Sequence, residues 1–182
     1  MLKLKPRKTV EDYMKLPEGV RAELIEGELF MTPSPRYGHQ DVATELVARL
    51  RALAGARGLG KVLSAPFDVH LPSGDIVQPD VVFVRTENLG IIRDWVRGVP
   101  DLLIEVLSPE APERDRIIKR DLYARNGVPE YWIVDPAART IEVFRLEGES
   151  YPPPAVFESG DTLTSALLPS LGLGVDEVVP AA

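Results

Sequence analysis

The chain has 182 residues, 45% hydrophobic and 27% charged, the balance of an ordinary soluble globular protein, and residues 1–182 read as a single domain. A net charge of −7 argues against a protein that coats nucleic acid non-specifically, but leaves room for a nuclease whose acids are neutralised by metal. With zero cysteines there is no disulfide framework, thiolate nucleophile or structural zinc site. No apolar run approaches the ~18 residues that span a bilayer, and the basic start Met1–Lys8 has no apolar stretch behind it, so a cytoplasmic location without membrane contact is expected.

In chain order, Thr9-Val10-Glu11-Asp12 matches a capping box and predicts a short helix ending near Pro17. Arg21 to Met31 reads as a hairpin turning at Gly27 and ended by Pro33 and Pro35. From about Gln40 to Ala56, Val42, Leu46, Leu50 and Leu53 recur at helical spacing, giving an amphipathic helix that should cover a sheet. Strands are expected near Lys61–Ala65 and Phe67–Leu71, with a turn at Pro72–Asp75. The segment Thr86–Gly98 is ambiguous and has room for a short helix carrying Trp95.

Gln78–Val84 and Pro100–Leu107 are nearly continuous apolar runs, the pattern of strands buried on both faces. Ser108-Pro109 stops the second. Glu113–Asn126 has helical spacing at Ile117, Ile118 and Leu122, with Gly127 as its C-terminal cap. Tyr131–Val134 is a further strand, turned by Asp135-Pro136 into Thr140–Leu146. Tyr151–Pro154 is a stiff connector, and Leu163–Val179 reads as short strand and loop pieces. The order predicts one mixed α/β domain around a central sheet.

Two acids are out of place in this pattern. Glu105 lies in the middle of one core strand and Asp80 opens another. Burying a lone carboxylate costs several kcal/mol or shifts its pKa, so a pair on neighbouring strands is a ready cage for a hard divalent cation. Such a cation polarises a phosphoryl oxygen and lowers the pKa of its water.

The spacing of Pro79-Asp80 and Glu105 resembles the PD-(D/E)-x-K nuclease superfamily. A longer series is similar to one bacterial family of uncharacterised restriction-endonuclease-like proteins. It comprises Glu23-Leu24-Ile25-Glu26-Gly27-Glu28, His39-Gln40, Gln78-Pro79-Asp80, Pro100 to Pro109, Lys119 with Tyr123, and Gly127 to Pro136. The resemblance spans Val10 to Leu146. It implies a restriction-endonuclease-like core, a mixed sheet flanked by helices with an N-terminal hairpin extension. It further implies a metal-dependent endonuclease acting on DNA as a homodimer or higher homo-oligomer. Asp80 and Glu105 would bind Mg²⁺ or Mn²⁺, with the Val106 carbonyl as an extra ligand.

One position departs from the superfamily motif. The lysine expected two residues after Glu105 is Leu107, which cannot donate to phosphate or water. The resemblance transfers that role to Lys119 on the following helix, where Asp115, Lys119 and Tyr123 lie four apart on one face. The plain alternative is an exposed Asp115–Lys119 ion pair. Asp101 rivals Asp80, since it too follows proline, but its place at a strand mouth suits a loop cap. Glu23 is either a third acid or a partner of Arg21; His39 is either a phosphate or proton contact or a helix-cap histidine. His70, Asp135, Tyr131 and Trp132 read as structural. The loss of lysine at position 107 keeps open a second reading, a catalytically inactive nucleic-acid-binding or protein-interaction module of the same fold. Basic residues gather around the first long helix (Arg36, Arg49, Arg51, Arg57, Lys61) and on the second (Arg114, Arg116, Lys119, Arg120, Arg125).

Overall fold

The computed structural model describes residues 6–169 and 171–180, so the basic start Met1–Lys5 lies outside the described residues. Thr9 caps α1 (Val10–Met14) through the expected box, its side chain accepting from Asp12 N–H while the Asp12 carboxylate accepts from Thr9 N–H. The hairpin follows as β1 (Ala22–Ile25) and β2 (Glu28–Met31). Its two turn residues, Glu26 and Gly27, both have positive φ, the mark of a tight turn whose twist matches its strands. The first long helix, α2 (Tyr37–Arg57), starts three residues before the expected Gln40 and buries Val42, Leu46, Leu50 and Ala54.

Next come β3 (Gly60–Ser64), β4 (Val69–His70), β5 (Ile76–Val77) and β6 (Val81–Arg85). The ambiguous segment resolves into a 3₁₀ turn over Thr86–Ile91 and a short β7 (Val96–Arg97), with Trp95 outside the helical part. Then β8 (Leu102–Val106) leads to a wide π-helical turn, Arg114–Lys119, that runs on into α3 (Arg120–Arg125). The chain closes with β9 (Glu130–Asp135), β10 (Thr140–Arg145), β11 (Ala155–Phe157), β12 (Thr162–Leu163), β13 (Leu173–Gly174) and α4 (Val175–Val178).

The central sheet has six strands in the order β11-β10-β9-β8-β6-β3. Only β8 and β9 are parallel, so the sheet is mixed. Because alternate residues of a strand face opposite ways, Leu102, Ile104 and Val106 of β8 meet α2 and the C-terminal elements. Leu103 and Leu107 meet Leu122 and Tyr123 on the other face. The N-terminal hairpin extension is present and continues into a second sheet, β2-β1-β5-β4-β7, packed on that same face. Among the described residues, no helix is long and apolar enough to cross a membrane.

The wide turn before α3 changes one expectation from the sequence. Ile117 and Ile118, read as helix-periodic apolar positions, are 51% and 38% exposed, while Lys119 is only 4% exposed. Hydrogen bonding at i→i+5 inserts an extra residue per turn, which turns the isoleucines outward and the lysine inward. An ammonium goes inside only where charge awaits it.

Candidate active site

Position i+2 from Leu103 puts Glu105 on the α3 face of β8, 4% exposed. Two donors from the next helix converge on its Oε1: Lys119 Nζ at 2.9 Å and Tyr123 O–H at 2.8 Å. Lys119 therefore reaches back to the sheet, one of the two outcomes that the four-residue spacing allowed. Its ammonium also lies 2.9 Å from Glu23 Oε1 and 3.4 Å from Asp115 Oδ1. The Asp115–Lys119 pair exists, but it is buried rather than solvated, with side chains 14% and 5% exposed.

Asp80 ends the loop before β6. Its carbonyl accepts from Ala65 N–H, and its Oδ2 accepts from Val106 N–H at 2.8 Å, which ties it to the residue after Glu105. His39 Nε2, on the first turn of α2, lies 3.1 Å from the same oxygen. Glu23 enters from β1 of the second sheet and is held by Gln78 N–H, 2.8 Å from its Oε1. All of these line one cleft of about 1270 Å³ together with Val106. The structure thus brings Asp80, Glu105, Lys119, Glu23 and His39 together. Sequence reasoning did not assign Gln78 its role as the anchor of Glu23; its place beside Pro79-Asp80 was the available signal.

Asp101 is removed from the contest. It sits at the other end of β8, 2% exposed, accepting from Arg85 N–H and Nε and from Asn88 Nδ2. His70 stacks near Trp95, with ring centroids 5.3 Å apart, and Asp135 accepts from the turn N–H groups of Ala137 and Ala138. Tyr131 and Trp132 are fully buried.

The electrostatics follow from burial. Desolvation pushes the Glu105 carboxyl well above the usual carboxylate range; Lys119 opposes this, while Asp115, Asp80 and Glu23 add to it. Burial lowers Lys119, but Glu105, Glu23 and Asp115 outweigh it and hold the ammonium well above its ordinary value. Burial and the Glu105 charge push the Tyr123 hydroxyl up, so it stays a donor. For His39, burial is outweighed by the hydrogen bond and charge of Asp80, and its pKa rises.

The donor set suits a hard divalent cation. Three carboxylates, Glu23, Glu105 and Asp115, share one lysine here, and the charge of Asp80 also acts on Glu105. Among the described residues, neither Asp80 Oδ1 nor Glu105 Oε2 accepts a hydrogen bond: the protein contacts of these carboxylates fall on Asp80 Oδ2 and Glu105 Oε1. No three acidic or histidine side chains among the described residues already converge on one ion position, because the Lys119 ammonium stands among Glu23, Glu105 and Asp115. Magnesium commonly takes only one or two carboxylates.

A mixed sheet that delivers two acids to one cleft, with helices on its faces, places the molecule in the restriction-endonuclease-like class. The chain belongs to the Uma2 family, described as putative restriction endonuclease, whose model matches residues 10–176. That membership supports a nuclease. Among solved structures, it is similar to a putative nuclease belonging to DUF820 from Anabaena variabilis, with a TM-score of 0.80 at 19% identity over 94% of this chain and 97% of that one. At that identity the likeness speaks for the fold. No curated protein matches the chain.

Proposed function

We propose that this protein is a single-domain, metal-dependent endonuclease that hydrolyses phosphodiester bonds in DNA. The observation that carries the reading is the convergence of Lys119 on the Glu105 carboxylate, which supplies from the wide turn before α3 the cation that Leu107 cannot. Asp80 and Glu105 would hold Mg²⁺ or Mn²⁺, with the Val106 carbonyl beside them. When bound, the ion would polarise the phosphoryl oxygen and lower the pKa of a water.

The protein's own groups have separable tasks. Lys119 holds the Glu105 carboxylate and carries positive charge to the floor of the cleft, where negative charge builds on phosphate. Tyr123 fixes the Glu105 rotamer. Val106 N–H and His39 fix Asp80, and Glu23 holds Lys119 from the opposite side. A homodimer would bring one such site to each strand of a duplex, and the absence of cysteine fits work in the cytoplasm.

Calorimetric titration with Mn²⁺, alongside cleavage of plasmid DNA, tests the reading. Wild type should bind the ion and nick DNA, and Asp80→Ala should lose both. Equal Mn²⁺ binding by the two proteins would sink it. DNA binding without cleavage by wild type would favour the inactive module that Leu107 keeps open.

A further inference from the structure

The arginines near the cleft are not equivalent. Arg116 is paired with Asp135 and Glu142, Arg120 with Asp121, Arg125 with Glu26, and Arg36 with Glu110. Among the described residues, Arg21 and Arg114 have no acidic partner within ion-pair distance, and both line the cleft.

The hairpin explains why they face the same space. Arg21 precedes β1 and lies two residues before Glu23, so strand alternation puts both on one face. Thr32 N–H donates to the Arg21 carbonyl, continuing the register in which Glu23 opposes Phe30. One face therefore carries Arg21 beside Thr32 and Glu23 beside Phe30. Arg114, on the wide turn that also carries Asp115 and Lys119, lies over the Phe30 ring, 4.9 Å from its centroid.

Two polar atoms on this wall have no protein partner. Arg21 Nε and Thr32 Oγ1 are both buried without a hydrogen bond among the described residues. Leaving such groups unpaired is costly, and here they belong to residues opposed across the hairpin, one of them part of an unpaired guanidinium, on the face whose Phe30 ring lies under Arg114. A phosphate group satisfies all of them, since a guanidinium fork and a hydroxyl match its oxygens. The cleft, about 1270 Å³, is larger than the roughly 300–1,000 Å³ of small-molecule pockets, which leaves room for more than one nucleotide unit.

We propose that Arg21, Thr32 and Arg114 form a second phosphate site, which holds a DNA phosphate neighbouring the one presented to Asp80 and Glu105. This rests on the nuclease reading and deepens it: the preferred substrate is a strand with at least two phosphates, gripped on the hairpin side of the cut. The hairpin and the wide turn before α3 grip the strand, while Asp80 and Glu105 stand at the central sheet.

Fluorescence anisotropy with a labelled single-stranded DNA 12-mer tests this, with Ca²⁺ replacing Mg²⁺ and salt varied. Arg21→Gln/Arg114→Gln should weaken binding about tenfold at low salt and reduce the slope of log K against log salt by about 0.7, the loss of one phosphate contact. Thr32→Val, which keeps shape and charge, should weaken binding about threefold. Arg51→Gln/Arg57→Gln, on the exposed side of α2 and outside the cleft, should bind like wild type. The proposal is overturned if wild type does not bind the 12-mer, if the Arg21/Arg114 variant keeps wild-type affinity and slope, or if the control pair weakens binding as much. Thr32→Val guards against a folding defect in the arginine variant, and unaltered binding by it also overturns the site. Strand binding that depends on these residues, with no hydrolysis by wild type in Mg²⁺, leaves this site standing while the nuclease reading falls.

Discussion

Replacing Lys119 with methionine keeps most of the aliphatic stem and deletes the charge. In the folded protein that charge lies within 2.9 Å of Glu105 and Glu23 and 3.4 Å of Asp115. Removing one member of a buried ion pair costs about 3–5 kcal/mol, because the remaining charge is left uncompensated. For a chain of this length that converts to a loss of roughly 6–20 °C in melting temperature. A double-mutant cycle then isolates the cause. If Lys119 acts as counter-charge, Glu105→Gln should cost less in the Lys119→Met background than in wild type, with a coupling of roughly 1–3 kcal/mol. Thermal melts of the four proteins in metal-free buffer provide the values. A Lys119→Met protein that melts within about 2 °C of wild type, or an additive cycle, refutes the account of the cluster.

Two other perturbations act away from the cleft. Burial holds His70 below its ordinary value of 6.5, against a weaker opposing pull from Asp68. A depressed pKa means that the folded state resists protonation, so stability is present above pH 6.5 and lost as pH falls through the lowered value. His70→Asn should therefore flatten the acid side of the stability profile in urea melts, and an unchanged acid slope would count against it. At Gly60, φ is +155° and an added Cβ would lie 2.1 Å from the Val84 carbonyl oxygen. Gly60→Ala should cost about 3 kcal/mol or more, whereas Gly55→Ala, facing open space within α2, should gain about 0.5–1 kcal/mol; equal effects on the two melting temperatures would show that strand crowding is not what Gly60 relieves.

Much of this arrangement was legible because it rests on local pattern. The capping box at Thr9, the turn at Gly27 and the two core strands each follow from a few adjacent residues. The acid pair stood out because apolar strands rarely carry carboxylates. What could not be read was the choice between two faces of the segment Glu113–Asn126. Hydrophobic spacing favoured Ile117 and Ile118, while the four-residue spacing of Asp115, Lys119 and Tyr123 favoured the polar face. The polar face won near the sheet because Glu105 and Glu23 are buried there and need a cation. Leu122 and Ala124 still turn inward further on, 1% and 6% exposed. Arg21 and Thr32 were invisible as a pair, since only the hairpin register brings residues eleven apart into opposition.

The wide turn at Arg114–Lys119 amounts to an insertion held inside a helix. In a regular helix each residue advances the side-chain direction by about 100°, so one extra residue resets the phase of everything that follows. Evolution can therefore swing a lysine between solvent and a buried cluster of acids by gaining or losing a single codon, with the strands untouched. A search that fixes the lysine beside the glutamate in sequence would pass over a chain such as this one, whose lysine meets the glutamate through helical phase.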